Sequence, residues 1–529
     1  MAKKKWTIIG LIVVVLIGGF VGFSLRKSDD GADKLVVAIV RDPDTIDTQK
    51  TTWVDGANDV LYETLVKQSP NGDLIPGLAT DWDLSEDGRT WTFQLRQGVK
   101  FHNGEPLNAA AVKATFERML DPATASPVTY MLGGDFLTSI DVVDEYTVQL
   151  NYADPFPSLV NSGITTGFLA IYPPQYLAEK GNDFGQHPMG TGSVKFVEHV
   201  RGSHILYERF DDYSWGPDFA KNQGPLQFKY LEMRVIPDES TRVMELERGN
   251  VDVLYQVPPQ DVQRLADKGF QIHKAPENGL TYWGFNAKKW PFTDPEVRKA
   301  LARAVDRQPI IEVALEGLAE PVYGPLPRNI LGYREEIENR AKQLYGYDVQ
   351  AAQETLAAAG WSDVNGDGFV EKDGKRLEFK LWISNDPVEL RIGQILQAQV
   401  AEIGAKLNIE ILEDAAFRAG MANGAQDTIL WRYGWFDPEI LGNMFKTGFS
   451  NRTWFYTPEL DKLIDAGATE VDPEKRLDIY AEIQNYLIDA EPWVPLYLKE
   501  QVFAVNPKVK NFIMNPYRWE QLILHDVGF

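Results

Sequence analysis

Residues 6–25 form an unbroken, largely apolar run, and no other stretch of the 529-residue chain approaches it. Twenty helical residues span roughly 30 Å, about the hydrocarbon thickness of a bilayer. Lys3, Lys4 and Lys5 precede the run, which favours a cytoplasmic N-terminus, although Arg26 and Lys27 beyond it weaken that asymmetry. The run reads as an uncleaved membrane anchor first. A cleaved signal peptide comes second, because the apolar core is long for one and Gly22-Phe23-Ser24 is a poor cleavage site. Either reading exports the remainder, so the expected location is extracytoplasmic, at the cell surface or in the periplasm. Residues 28–33 then serve as a polar tether.

Beyond the tether the chain is expected to fold as mixed α/β. Leu35-Val36-Val37-Ala38-Ile39-Val40 has the density of a buried strand. Trp91-Thr92-Phe93-Gln94-Leu95 alternates strictly after a Ser85-Glu86-Asp87-Gly88 turn, which predicts a hairpin. Residues 109–119 carry helical spacing behind Asn108 as N-cap, and residues 240–248 read as a helix ended by Gly249. Asp294-Pro295-Glu296 opens another helix with a capping side chain, a first-turn proline and an acid at the positive end. Helix and strand patterns alternate again through residues 380–412, and the length alone favours about three domains.

Composition excludes several functions. The formal charge of -23 is spread along the chain and opposes nucleic-acid binding. With no cysteine, disulfides, thiolate metal sites and a lipidated N-terminal cysteine are ruled out. No His-Glu-x-x-His, Gly-x-Ser-x-Gly or phosphate-binding Gly-x-x-x-x-Gly-Lys is present, so an anchored hydrolase lacks its machinery and the chain is not expected to be an enzyme. His199 and His204 flank a tight turn, more simply polar surface than a metal site. Asp363, Asn365, Asp367 and Glu371 match part of a calcium-binding loop, but Gly374 stands where a bidentate glutamate is needed. That segment reads first as a Gly/Asp-rich turn and second as a structural calcium site; no other cofactor is expected.

The aromatic residues carry more information. Trp431-Arg432-Tyr433-Gly434-Trp435-Phe436-Asp437-Pro438 sets stacking faces, a cation and an anion within eight residues. Such a set suits an enclosed zwitterion, whose charges need partners and whose peptide planes stack on rings. Trp53, Trp283, Trp290 and Trp454 also stand beside polar or charged neighbours, although a core position is the simpler reading of any one tryptophan.

Several blocks together resemble family 5 of the ABC-transporter extracellular solute-binding proteins, the peptide/nickel-binding class. They are Leu78-Ala79-Thr80-Asp81-Trp82 with the hairpin 91–107, Gly190-Thr191-Gly192, and the helix–glycine–strand step 242–253. Phe285-Asn286 with 294–307, and Tyr347-Asp348 through Ala359-Gly360-Trp361, complete the series in order. The resemblance implies a two-lobed periplasmic-binding-protein-like α/β fold with an extra inserted domain; the N-terminal transmembrane helix read from residues 6–25 would precede it, in place of the family's lipidated cysteine. Residues 1–33 would be anchor and tether, 34–52, 166–275 and 492–529 lobe I, 53–165 the insert, and 276–491 lobe II. It further implies hinge closure on a small polar ligand, a peptide ahead of an oligosaccharide or nickel chelate, and delivery to an ABC permease with its ATPase subunits. Candidate ligand-binding residues are Trp53, Tyr282, Trp283, Phe285, Trp431, Arg432, Tyr433, Trp435, Asp437 and Trp454. Peptide-binding members often hold the ligand's α-amino group with an aspartate three residues before the Asp-Pro pair. Gly434 stands there in this sequence, which leaves either Asp437 for that role or a ligand without an α-amino group.

Overall fold

The computed structural model describes residues 33–449, 452–516 and 522–529. The apolar run 6–25 lies outside the described residues, among which no helix is long and apolar enough to cross a membrane.

Two lobes are joined by a shared strand and, beside it, the crossing segment 276–280. In lobe I, Lys34–Ile39 lies between Tyr230–Val235 and Val253–Leu254, parallel to both. His204–Arg209 and Val194–Val200 extend that sheet by antiparallel pairing. In lobe II, Leu280–Phe285 pairs antiparallel with Thr428–Tyr433, which continues in parallel to Glu378–Ile383 and Lys406–Ile411. The strand Trp493–Val505 belongs to both sheets. Its first half pairs with Leu280–Phe285 and Ala319–Pro321, its second with Gln271–Pro276 and Val253–Leu254. Thirteen extended residues reach about 43 Å. The expected boundary at residue 492 therefore divides differently in the structure, since residues 493–498 complete the sheet of lobe II.

Local sequence signals account for these elements. Trp91, Phe93 and Leu95 are buried while Thr92 and Gln94 face outward, as alternation requires. Gly88, at φ +71°, closes the preceding turn. Asn108 caps the helix Ala109–Leu120, and Asp294 caps Pro295–Arg303 through the Glu296 N–H. The helix Glu239–Glu247 forms with Asp238 as its cap. Each body has its own core, with Leu35, Val37 and Leu231 in lobe I and Trp283, Leu301 and Leu381 in lobe II.

The insert is a four-stranded antiparallel sheet, in the order Ala79–Leu84, Thr90–Leu95, Thr147–Tyr152, Leu137–Asp144, backed by the helix Ala109–Leu120. Phe93, Phe101, Phe116 and Leu150 lie at its centre. That helix ties the insert to lobe I. Arg118 donates to the buried Asp47 carboxylate at 2.5 Å and to the Gln49 side chain at 2.6 Å, and Gln49 reaches the Thr115 carbonyl at 2.9 Å. Insert and lobe I are thereby joined through charge as well as packing.

Arg118→Ala should strand the Asp47 carboxylate and cost about 3–5 kcal/mol. Calorimetry should record a clear fall in Tm, whereas Lys113→Ala, which breaks an exposed pair with Glu117 on the same helix, should change stability by about 0.5 kcal/mol or less.

Candidate ligand-binding cleft

A cleft of about 290 Å³ opens where the lobes and the insert meet. Its size lies near the lower end of the roughly 300–1,000 Å³ typical of small-molecule sites. Its floor is the crossing between lobes, the segment 277–281 beside Lys499. Two turns are pressed together here. A side chain on Gly279, at φ +143°, would come within 1.8 Å of the Tyr433 carbonyl oxygen, and one on Gly434 within 2.8 Å of the Asn278 carbonyl oxygen. Glycine at 434 thus follows from backbone contact, and an aspartate there would force the two turns apart.

The cleft carries paired charges. Glu277 is nearly buried, and its carboxylate accepts from Arg432 at 3.3 Å and faces the Lys499 ammonium at 3.4 Å. The backbone of Glu277 is fixed too, its N–H donating to the Lys499 carbonyl and its own carbonyl accepting from Asn329. About half of each cationic side chain remains exposed, 54% for Arg432 and 48% for Lys499. One carboxylate thus orients two cations toward the open volume. The start of the insert contributes Trp53, over whose ring the Arg41 guanidinium of lobe I sits 4.6 Å from the centroid. Met131 and Phe168 add apolar wall from the far side.

Four of the ten sequence candidates, Trp53, Arg432, Tyr433 and Trp435, come together here. Tyr433 also donates its hydroxyl to the Pro325 carbonyl at 2.7 Å and stacks on Trp493, which fixes its ring. Trp435 packs against the core of the insert and against a core of lobe II, spanning the two bodies.

The other six are placed elsewhere. Tyr282, Trp283 and Phe285 are fully buried, because their strand is central and covered on both faces. Tyr282 packs on Trp493 at 4.5 Å, while Trp283 and Phe285 meet each other at 4.9 Å within the lobe II core. Trp431 stacks on Phe417 at 5.5 Å in a small separate cluster. Trp454 packs beside Gly424, with the Lys288 ammonium over its ring. Asp437 has no solvent exposure, and Arg476 grips it through two nitrogens at 2.5 and 2.9 Å. Its carboxylate is a structural anion and is not presented to the cleft.

Sequence reasoning missed Glu277, Asn278 and Lys499. Asn278-Gly279 is a turn signal directly ahead of a strand, and it marks the crossing between lobes. Nothing in the local sequence distinguishes Lys499, which arrives from the far end of the chain.

The remaining candidates have internal partners. Asp363 accepts from the backbone N–H groups of Gly366 and Gly368, which holds its carboxyl below its ordinary range. Asp367 pairs with Arg376, and Glu371 accepts from Asn365. His199 lies against Asp42 at 2.9 Å, while His204 lies 3.3 Å from Glu198. Among the described residues, no group of three or more histidines and carboxylates is arranged to hold a metal ion.

Comparison with known proteins agrees with this architecture. The profile of the bacterial extracellular solute-binding proteins, family 5 middle region, matches residues 73–452. The chain is 28% identical over 505 residues to heme-binding protein A of Haemophilus influenzae, covering 89% of this chain and 87% of that one. It is 28% identical over 484 residues to the glutathione-binding protein GsiB of Salmonella typhimurium, covering 87% and 89%. The structure of NikA from Brucella suis in complex with Fe(III)-EDTA superposes with a TM-score of 0.82 at 24% identity, over 94% of this chain and 99% of that one, a likeness of fold. The chain belongs to family 5 of the bacterial extracellular solute-binding proteins.

Proposed function

We propose that this protein captures a short peptide in the interlobe cleft and delivers it, chemically unchanged, to an ABC permease. Members of the family are transport binding proteins and not enzymes. One observation carries the peptide reading: Arg432 and Lys499 are braced by a single carboxylate, Glu277, in a cleft that Trp53 and Trp435 also line. The cations suit a ligand carboxylate, and the rings suit the flat peptide unit next to it. The protein acts outside the cytoplasm, as its family does. We further assign residues 6–25 as its tether to the membrane, supported by their length, apolarity and flanking lysines.

The direct test is native mass spectrometry of the soluble portion, residues 33–529. A retained short peptide that leaves intact on denaturation is expected; a retained sugar, or a processed peptide, would overturn the reading. A peptide present at 100 times its Kd should add about 2.7 kcal/mol to folding stability. Trp53→Ala and Arg432→Ala should each weaken peptide binding by about tenfold, or about 1.4 kcal/mol, with little change in the Tm of the free protein. Asp437→Ala should instead lower stability by about 3–5 kcal/mol, because it leaves the buried Arg476 guanidinium without its two-pronged partner.

A further inference from the structure

A second contact between the insert and lobe II lies beyond the cleft, and its charges do not balance. On the lobe II side, Asp437 is held by Arg476 and accepts the Glu439 N–H at 2.9 Å. On the insert side, Asn161 donates its amide to Asp437 at 3.3 Å. The Glu439 carboxylate meets the Ser158 hydroxyl, with Ser162 one helical turn further on. The same two bodies touch again at the hairpin tip, where a side chain on Gly88 would strike Val471 at 2.4 Å. Asp47 and Arg118 tie the insert to lobe I, so on the capture reading both contacts lie between lobe II and the unit it swings against.

Two carboxylates here share one guanidinium, and Asp437 occupies it through both of its terminal nitrogens. The charged and titratable groups acting on Glu439 from lobe II are Asp437, Arg476 and Tyr480. The insert brings Ser158, Asn161 and Ser162, which carry no charge to answer a second anion. Enclosing that anion is costly unless it takes a proton. On the basis of the capture reading above, we propose that closure of the lobes takes up one proton at the Glu439 carboxylate, so that acidity favours the closed, ligand-holding form.

The ionisation of Glu439 agrees. Burial first, and then the neighbouring Asp437 charge, hold its carboxyl up at about 7 in this structure. Glu439 keeps some solvent exposure at the edge of the contact, which limits the size of the effect. A carboxyl raised in the closed form and ordinary in the open form favours closure fully below about pH 4.5, and the advantage is lost as pH rises through about 7.

Because the chain has no cysteine, Val143→Cys in the insert and Ala466→Cys in lobe II allow two spin labels to be placed without removing native thiols. Both positions are exposed. Electron–electron double resonance on this double variant should show the closed-to-open population ratio falling about tenfold between pH 5.5 and pH 8. Glu439→Gln should remove the pH dependence and hold the closed fraction high at pH 8. A distance distribution independent of pH, or a Glu439→Gln protein that titrates like the parent, overturns the proposal. A mixed tripeptide library forms the second arm. A distance that shortens with the library but ignores pH rejects the proton-linked contact and leaves peptide capture standing, whereas one that responds to neither rejects both.

Discussion

One continuous strand, Trp493–Val505, sets the geometry on which the rest of the molecule depends. It completes the sheet of lobe II with its first half and the sheet of lobe I with its second. Backbone hydrogen bonds cannot be given up cheaply once buried, so this strand keeps both sheets in register while the chain between them stays thin. Beside it runs the segment 276–280, the return crossing between lobes. The cleft opens at that crossing, where few backbone segments must bend for one lobe to swing against the other. Lys499 and Glu277 lie on the two crossing segments themselves and face each other at 3.4 Å. On the proposed reading, ligand contacts and the bending element occupy the same few residues, so a charged ligand there would act directly on the hinge.

The insert turns a two-body clamp into a larger one. It is bound to lobe I by a buried ion pair and to lobe II by lighter contacts at Asp437, Glu439 and Val471. That inequality matters. A strong tie on one side and a weak one on the other make insert and lobe I a single moving unit. Trp435 lies between the core of the insert and a core of lobe II, so one ring both lines the cleft and bridges the two bodies.

Much of this is legible in the sequence, and the failures have physical reasons. The Trp91–Phe93–Leu95 alternation, the Asp294 cap and the order of family blocks depend on short-range patterns, which the structure realises with only small shifts at element ends. Asp437 reads as a ligand partner because it follows a stretch of aromatics and a cation. Its partner Arg476 lies 39 residues away on the helix Pro473–Ala490, where no local pattern connects the two. Tyr282, Trp283 and Phe285 read as pocket residues because an aromatic strand can end in a cleft. Only the sheet order shows that theirs is central and covered on both faces. The Asp363 segment forms the Gly/Asp-rich turn that its composition suggests first, with Asp363 accepting from the Gly366 and Gly368 N–H groups.

The central claim is that rigid lobes turn about the shared strand to enclose a ligand that is never altered. Small-angle scattering of the soluble portion, recorded with and without the peptide it retains, measures this most directly. The account predicts a smaller radius of gyration in the bound form, fitted by rotating the two lobes as intact bodies. An unchanged scattering curve at saturating peptide would contradict it.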